Sequence, residues 1–226
     1  MTRADWVKGA ALTSFAVLLL VVGAALGPLV LSDDTAAPPV MSDTEIGFTQ
    51  DMVAHHNQAL SMTQRLDRAA DPTVRALAQQ LADTQRLELG MMLGWLRMAR
   101  VVTTNPHPMA WMHDDTGPDK SAHPGHAHGG AATSAAAQTP APTTMPGMAT
   151  QEELDALSAA RGADAEILFL RLMQRHHYGG IQMAQAAERQ LSSGIVKQAA
   201  RDMLDTQSRE SGLLGLLLDQ RTAATP

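Results

Sequence analysis

Two pairs of adjacent histidines are the residues of this 226-residue chain best suited to chemistry. His55 and His56 lie in "MVAHHNQALSM", and His176 and His177 lie in "MQRHHYGGIQM". Apolar residues recur at spacings of three and four through both stretches, which predicts helices that bury one face. A buried imidazole needs either a hydrogen-bond partner or a metal ion, so each pair predicts partners from elsewhere in the chain.

A Gln-x-x-Glu segment after each histidine pair supplies those partners. These polar residues, on the apolar faces of two further predicted helices, are Gln85, Glu88, Gln207 and Glu210. Counted from the turn that joins each helix to the next, they fall within roughly 4 Å of the histidines along the helix axis. We therefore expect one polar layer, with His55 and His176 on the buried seam facing the glutamates and the other two histidines beside it.

The two halves of the chain repeat one another, which predicts the architecture. Residues 48–64 align with residues 169–185 at an offset of 121, and the two Gln-x-x-Glu segments align at an offset of 122. Asp71 followed by Pro72 predicts one helix start, and Thr150 with Glu153 predicts a capping box at another. We predict an all-α protein, a ferritin-like four-helix bundle made of two duplicated helical hairpins.

The first 32 residues have a different character. Residues 9–32 carry no charge, and residues 10–31 are almost wholly apolar, which is long enough to cross a bilayer. Basic residues precede this run and aspartates follow it, which places the N-terminus in the cytoplasm and the rest outside. We predict a single N-terminal transmembrane helix in a single-pass protein of the cell membrane. The alternative is a cleaved signal peptide and export.

The composition divides the chain into four regions. Residues 1–32 form a cytoplasmic stub and anchor, 33–102 the first hairpin, 103–149 a flexible linker rich in His, Pro and Ala, and 150–226 the second hairpin. Residues 33–226 then make one bundle domain. The linker holds five of the nine histidines and predicts a loose secondary metal tract, with a solvated spacer as the alternative. The tract comprises His107, Met109, Met112, His113, His123, His126 and His128.

Three functions remain open for the polar layer. The first is a transition-metal site for copper, zinc, iron or manganese, because imidazoles and carboxylates from facing helices are typical ligands in bundle cores. The second is a metal-free His–Glu network that fixes helix register. The third is acid–base or oxidase-like catalysis, which is disfavoured because no nucleophile or cofactor motif is present. The candidate ligands are His55, His56, Glu88, His176, His177 and Glu210, with Gln85 and Gln207 as supporting hydrogen-bond donors.

Composition removes other classes of function. The net charge is −6 and no basic run occurs, which argues against nucleic-acid binding. The absence of cysteine excludes disulfides and thiolate metal sites. Nothing in the sequence identifies a protein partner.

The doubled motif resembles a known family. The segments "FTQDMVAHHNQALSMT", "FLRLMQRHHYGGIQMAQ" and "MPGMATQEELDAL" are similar to the family called "domain of unknown function 305", over roughly residues 43–102 and 145–220. The resemblance implies a ferritin-like bundle, export or membrane anchoring, and the four histidines as signature positions with Glu88 and Glu210 beside them. Some members of that family are linked to copper binding and tolerance, so copper becomes the first metal to test.

Overall fold

The structure is a computed structural model that describes residues 17–22, 39–112 and 145–223. The chain divides into two compact units, Met1–Pro39 and Val40–Pro226. In the first unit, residues 17–22 form a short exposed stretch of helix. No helix in the described ranges is both long and apolar enough to cross a membrane. The predicted anchor, residues 10–31, lies mostly outside those ranges.

The second unit contains helices and no strands within its described residues, which confirms the predicted all-α class. Its elements are α1 (Asp43–Arg65), α2 (Pro72–Met98), a 3-10 turn (Ala110–Met112), α3 (Gln151–Ala159), α4 (Gly162–Gln190) and α5 (Ile195–Ala223). The helices α1 and α2 form the first hairpin, and α4 and α5 form the second.

The sequence signals for helix starts are confirmed, but one of them starts a helix that was not expected. Asp71 caps α2 through the Thr73 amide at 2.7 Å, with Pro72 as the first helical residue. Thr150 and Glu153 form the capping box, which opens the short helix α3 and not the long third helix of the prediction. The chain bends between α3 and α4, where Gly162 adopts a φ of 54° that favours glycine.

The helix directions agree with ferritin-like wiring. The helices α1 and α4 are antiparallel, because Phe48 near the start of α1 shares a core cluster with Met183, whereas Met62 near its end shares one with Phe169. The helices α2 and α4 therefore run in the same direction, which a short turn cannot achieve. The connection from α2 to α3 therefore joins opposite ends of the bundle, in agreement with a long central segment.

Two apolar clusters fill the bundle, and the histidines lie between them. The first cluster includes Phe48, Met52, Met92, Met183 and Met203. The second includes Ala59, Met62, Leu81, Phe169 and Met173. His55 lies between Met52 and Ala59 in α1, so the polar layer separates the two clusters. With so few aromatic residues, methionine fills much of this core, as its flexible side chain allows.

Two parts of the predicted linker, residues 109–112 and 145–149, pack against the bundle. Met109 and Trp111 are buried, and both the Met109 amide and the Trp111 indole donate to the Asp51 carboxylate, at 2.7 and 2.8 Å. Burial raises the pKa of Asp51, while these donors lower it. Asp51, which has Leu172 at the equivalent place in the second half, therefore pins the chain after α2 to α1.

Candidate metal centre

His55 and His176, which are equivalent in the internal repeat, lie against each other at the middle of the bundle. Their ring centroids are 3.7 Å apart with an interplanar angle of 30°. Both residues are 1% exposed. Contact between equivalent residues places the pseudo-twofold axis of the duplicated hairpins between these two rings.

The two glutamates bind the other histidine of each pair. Nε2 of His56 lies 2.6 Å from the Glu88 carboxylate, and Nε2 of His177 lies 2.9 Å from the Glu210 carboxylate. The expectation that His55 and His176 face the glutamates is therefore wrong. Adjacent helical residues point about 100° apart, so one histidine of each pair faces the other helix of its own hairpin and its neighbour faces the opposite hairpin.

The two His–Glu pairs differ in how their protons are placed. Nδ1 of His177 donates to the Met173 carbonyl at 2.9 Å, so a proton must also lie between its Nε2 and Glu210. Nδ1 of His56 is buried and has no hydrogen-bond partner among the described residues. When Nε2 of His56 donates to Glu88, that Nδ1 carries the lone pair of a neutral ring.

The glutamines of the layer are also buried. Gln85 and Gln207 are 2% and 1% exposed, and each has one side-chain amide atom without a partner in the described part of the chain. A Cβ at Gly180 would collide with the Gln207 side chain. The absence of a side chain at Gly180 therefore makes space for this glutamine.

Burial keeps the central rings uncharged at neutral pH. It lowers the pKa of His55 to about 3, with a further lowering from His56, against a bond to the Pro146 carbonyl that raises it. Burial likewise holds the pKa of His176 well below 6.5, helped by the neighbouring imidazoles. Nε2 of His176 is buried and has no partner among the described residues. Neutral imidazole nitrogens of this kind are the form that binds metals.

A segment outside the four long helices covers the histidines, and sequence reasoning missed it. We call residues 145–149 the strap. The Pro146 carbonyl accepts a hydrogen bond from Nε2 of His55 at 3.1 Å, and Gln58 binds both the amide and the carbonyl of Ala149, at 2.6 and 2.9 Å. The signals that could have revealed it are the "MPGM" turn and Gly179, which lets the strap lie directly on α4.

The predicted secondary tract is only partly within the described residues. His107 is exposed, as a loose ligand would be, whereas Met109 is 1% exposed and Met112 packs against the first apolar cluster. Met109 is therefore a core residue and not an open thioether. The remaining members, His113, His123, His126 and His128, lie outside the described residues.

The donor chemistry of the layer suits a transition metal, although the side chains do not converge on one point. Within the described ranges, no group of three or more His, Asp or Glu side chains is arranged to hold an ion. The nitrogens that are free to bind are Nδ1 of His56 and Nε2 of His176. A carboxylate on the opposite nitrogen of a ligating histidine, as Glu88 provides for His56, orients the ring and raises its basicity.

Comparison with known proteins agrees with this fold and motif. The profile of the family described as Domain of unknown function (DUF305) matches residues 45–218. No curated protein matches the chain in sequence.

Three solved structures have a similar fold. A DUF305 protein of Streptomyces coelicolor, described as secreted, is 32% identical with a TM-score of 0.63, covering 79% of this chain and 92% of its own. A DUF305 fragment from Deinococcus radiodurans is 27% identical with a TM-score of 0.60, at 81% and 99% coverage. CopM in its Cu(II)-bound form is 19% identical with a TM-score of 0.51, at 80% and 99% coverage, and shows likeness of fold alone. With the duplicated histidine motif spanning the matched region, the chain belongs to the DUF305 family.

Proposed function

We propose that this protein binds a transition metal, copper first, in the histidine layer of its bundle and serves metal binding or homeostasis outside the cytoplasm. The observation that carries the proposal is His56, which is fully buried, held by Glu88 at 2.6 Å, and left with an unpartnered Nδ1. A buried ring nitrogen without a partner costs free energy unless something binds it. His176, with its unpartnered Nε2, offers a second such nitrogen.

The rest of the layer fits supporting roles in that site. Glu88 orients His56, and Glu210 holds His177 in the same way in the second hairpin. Copper is placed before zinc because the solved structures of similar fold include CopM, which is named in a Cu(II)-bound form. Imidazole nitrogens suit copper as well as zinc.

A metal-free structural role is the second candidate. Both ring nitrogens of His177 have partners, Met173 and Glu210, so this half of the layer is satisfied without an ion. Such a pair fixes the register of α4 against α5, because sliding either helix would leave a buried polar group unpaired.

Metal binding separates the two candidates. Protein purified without a histidine tag and treated with chelator should melt at a higher temperature when Cu(I), Cu(II) or Zn²⁺ is added, with copper giving the largest shift. The double variant His56→Gln with His176→Gln should lose most of this shift. The exposed His107→Gln is the matched control and should keep it. If none of these ions changes the melting temperature of the parent, the metal site is wrong and the structural role remains.

We also propose that the bundle lies on the outer face of the membrane. The support is the apolar run at residues 10–31 with its flanking charges, together with a related protein described as secreted. Carbonate extraction of membranes from cells that express the full chain should leave it in the pellet. Recovery in the supernatant with a new N-terminus near Ser32 would show a cleaved signal peptide instead.

A further inference from the structure

The strap lies between the central histidines and solvent. Residues 145–148 are partly exposed, whereas His55 beneath them is 1% exposed. The Pro146 carbonyl accepts from Nε2 of His55 at 3.1 Å, so this nitrogen cannot bind anything else while the strap is in place. Any ligand that approaches His55 from this side must displace the strap.

Two glycines allow the strap to lie directly on α4. A Cβ at Gly179 would overlap the Pro146 carbonyl, and a Cβ at Gly147 would overlap the Arg175 carbonyl. Gly147 also adopts a φ of 75°, a conformation that strains other residues. The close approach at this one point therefore depends on the absence of side chains on both surfaces.

Side chains of α1 and α4 hold the strap at its far end. Gln58 acts as donor and acceptor to Ala149, at 2.9 and 2.6 Å. Arg175 donates to the Met148 carbonyl at 3.4 Å and binds Glu153, at the start of α3, at 2.7 Å. These hydrogen bonds fix the far end of the strap, while Met145 packs against the first apolar cluster and Ala149 belongs to the second.

We propose that the strap is a gate over the His55–His176 pair and that Gln58 and Arg175 are the positioning residues that keep it closed. The inference rests on the proposed function in one respect, because a metal ion would reach His55 only when the gate lifts. The gate also controls the access of other small molecules to the two imidazoles, and this access can be measured without metal.

Carbethoxylation with diethyl pyrocarbonate, mapped by mass spectrometry on the intact protein, measures access to each imidazole. Gly179→Ala introduces a methyl group beneath Pro146 while α4 gains helix propensity, so the strap should lift without loss of the helix. We expect His55 and His176 to react about tenfold faster than in the parent. This corresponds to a loss of about 1.4 kcal/mol from the free energy that favours the closed strap. His107, which is exposed, serves as the internal reference.

Gly90→Ala is the matched control. Gly90 is also a helical glycine, but a Cβ there would meet nothing within 4 Å, so His55 should react at the parent rate. Gln58→Ala removes the two hydrogen bonds to Ala149 and leaves the surface of α4 unchanged. It should increase the carbethoxylation rates of the same two histidines. It therefore tests the gate by itself if Gly179→Ala does not fold. Equal rates in the parent, Gly90→Ala and both strap variants would overturn the gate.

Copper uptake separates the gate from the proposed function. When Cu(I) is supplied from a weak chelator, Gly179→Ala and Gln58→Ala should take it up faster than the parent and Gly90→Ala do. If no variant binds copper while the two strap variants still expose the histidines, the proposed function fails and the gate stands. If copper binds at one rate in all four proteins, the metal does not enter beneath the strap, and the gate fails as the control of access.

Discussion

Lowering the pH from 7 to 5 in the presence of a chelator should destabilise the folded protein, by about 2 kcal/mol through His55 and further through His176. Burial lowers the pKa of His55 to about 3 and holds that of His176 well below 6.5. Both rings take up protons near pH 6.5 in the unfolded chain. Between these values the unfolded chain binds more protons than the folded protein, so the free energy of unfolding falls as the pH falls. His55 contributes about 1.4 kcal/mol per pH unit below 6.5, and His176 adds to the loss in the same direction.

Urea unfolding at pH 7, 6 and 5 measures this dependence, and His176→Gln should reduce the slope. Asp51 acts in the opposite direction, because its raised pKa makes the folded protein bind a proton at a higher pH than the unfolded chain does. Glu153, whose pKa the Arg175 hydrogen bond lowers to about 2, loses its contribution only below the ordinary range of glutamate, about pH 4.5. A free energy of unfolding that stays constant from pH 7 to 5 would mean that the central rings are accessible to protons when folded.

The sequence predicted the helical elements because their signals are local. The Asp71–Pro72 start and the Thr150–Glu153 capping box each depend on a few adjacent residues, and both formed as expected. The duplication predicted that equivalent residues would be arranged alike. The contact between His55 and His176 across the pseudo-twofold axis agrees with it.

The predictions that failed concern features that depend on tertiary packing. Counting residues from the turns placed the glutamates at the correct level along the bundle axis. That level does not determine which of two adjacent histidines a glutamate contacts. That choice depends on how each helix is rotated against its neighbours, which the spacing of apolar residues defines only to within about one residue. Glu88 therefore met His56, beside the seam, and not His55 on it.

The ends of the linker were missed for a related reason. Proline, glycine and alanine around residues 103–112 and 145–149 have the composition of a loop, which says nothing about whether that loop packs. Trp111 is held by a carboxylate 60 residues earlier in the chain, and the strap by Gln58, 91 residues before Ala149. Contacts of such long range have no periodic signature in the sequence.

Replacing both glutamates by glutamine should weaken metal binding while leaving the metal-free fold nearly unchanged. Glutamine at position 88 can still accept from Nε2 of His56, and glutamine at position 210 can donate to Nε2 of a neutral His177 while Nδ1 keeps its bond to Met173. The double variant Glu88→Gln with Glu210→Gln should therefore unfold within about 1 kcal/mol of the parent when chelator is present. The corresponding alanine variant leaves two buried rings unpaired and should lose about 1–3 kcal/mol at each.

The two glutamine substitutions should reduce the stabilisation that copper gives, although they leave the metal-free fold nearly unchanged. A carboxylate that orients a ligating histidine contributes about 10- to 100-fold in metal affinity. With copper at about 100 times the parent's dissociation constant, the parent should gain about 2.7 kcal/mol and the glutamine variant only about 0.4–1.4 kcal/mol. Melting curves of the parent and both double variants, each with chelator and with copper, provide the comparison. Equal stabilisation of the parent and the glutamine variant would show that the His–Glu pairs do not support the metal. A larger loss than 100-fold would show that a glutamate binds the metal directly.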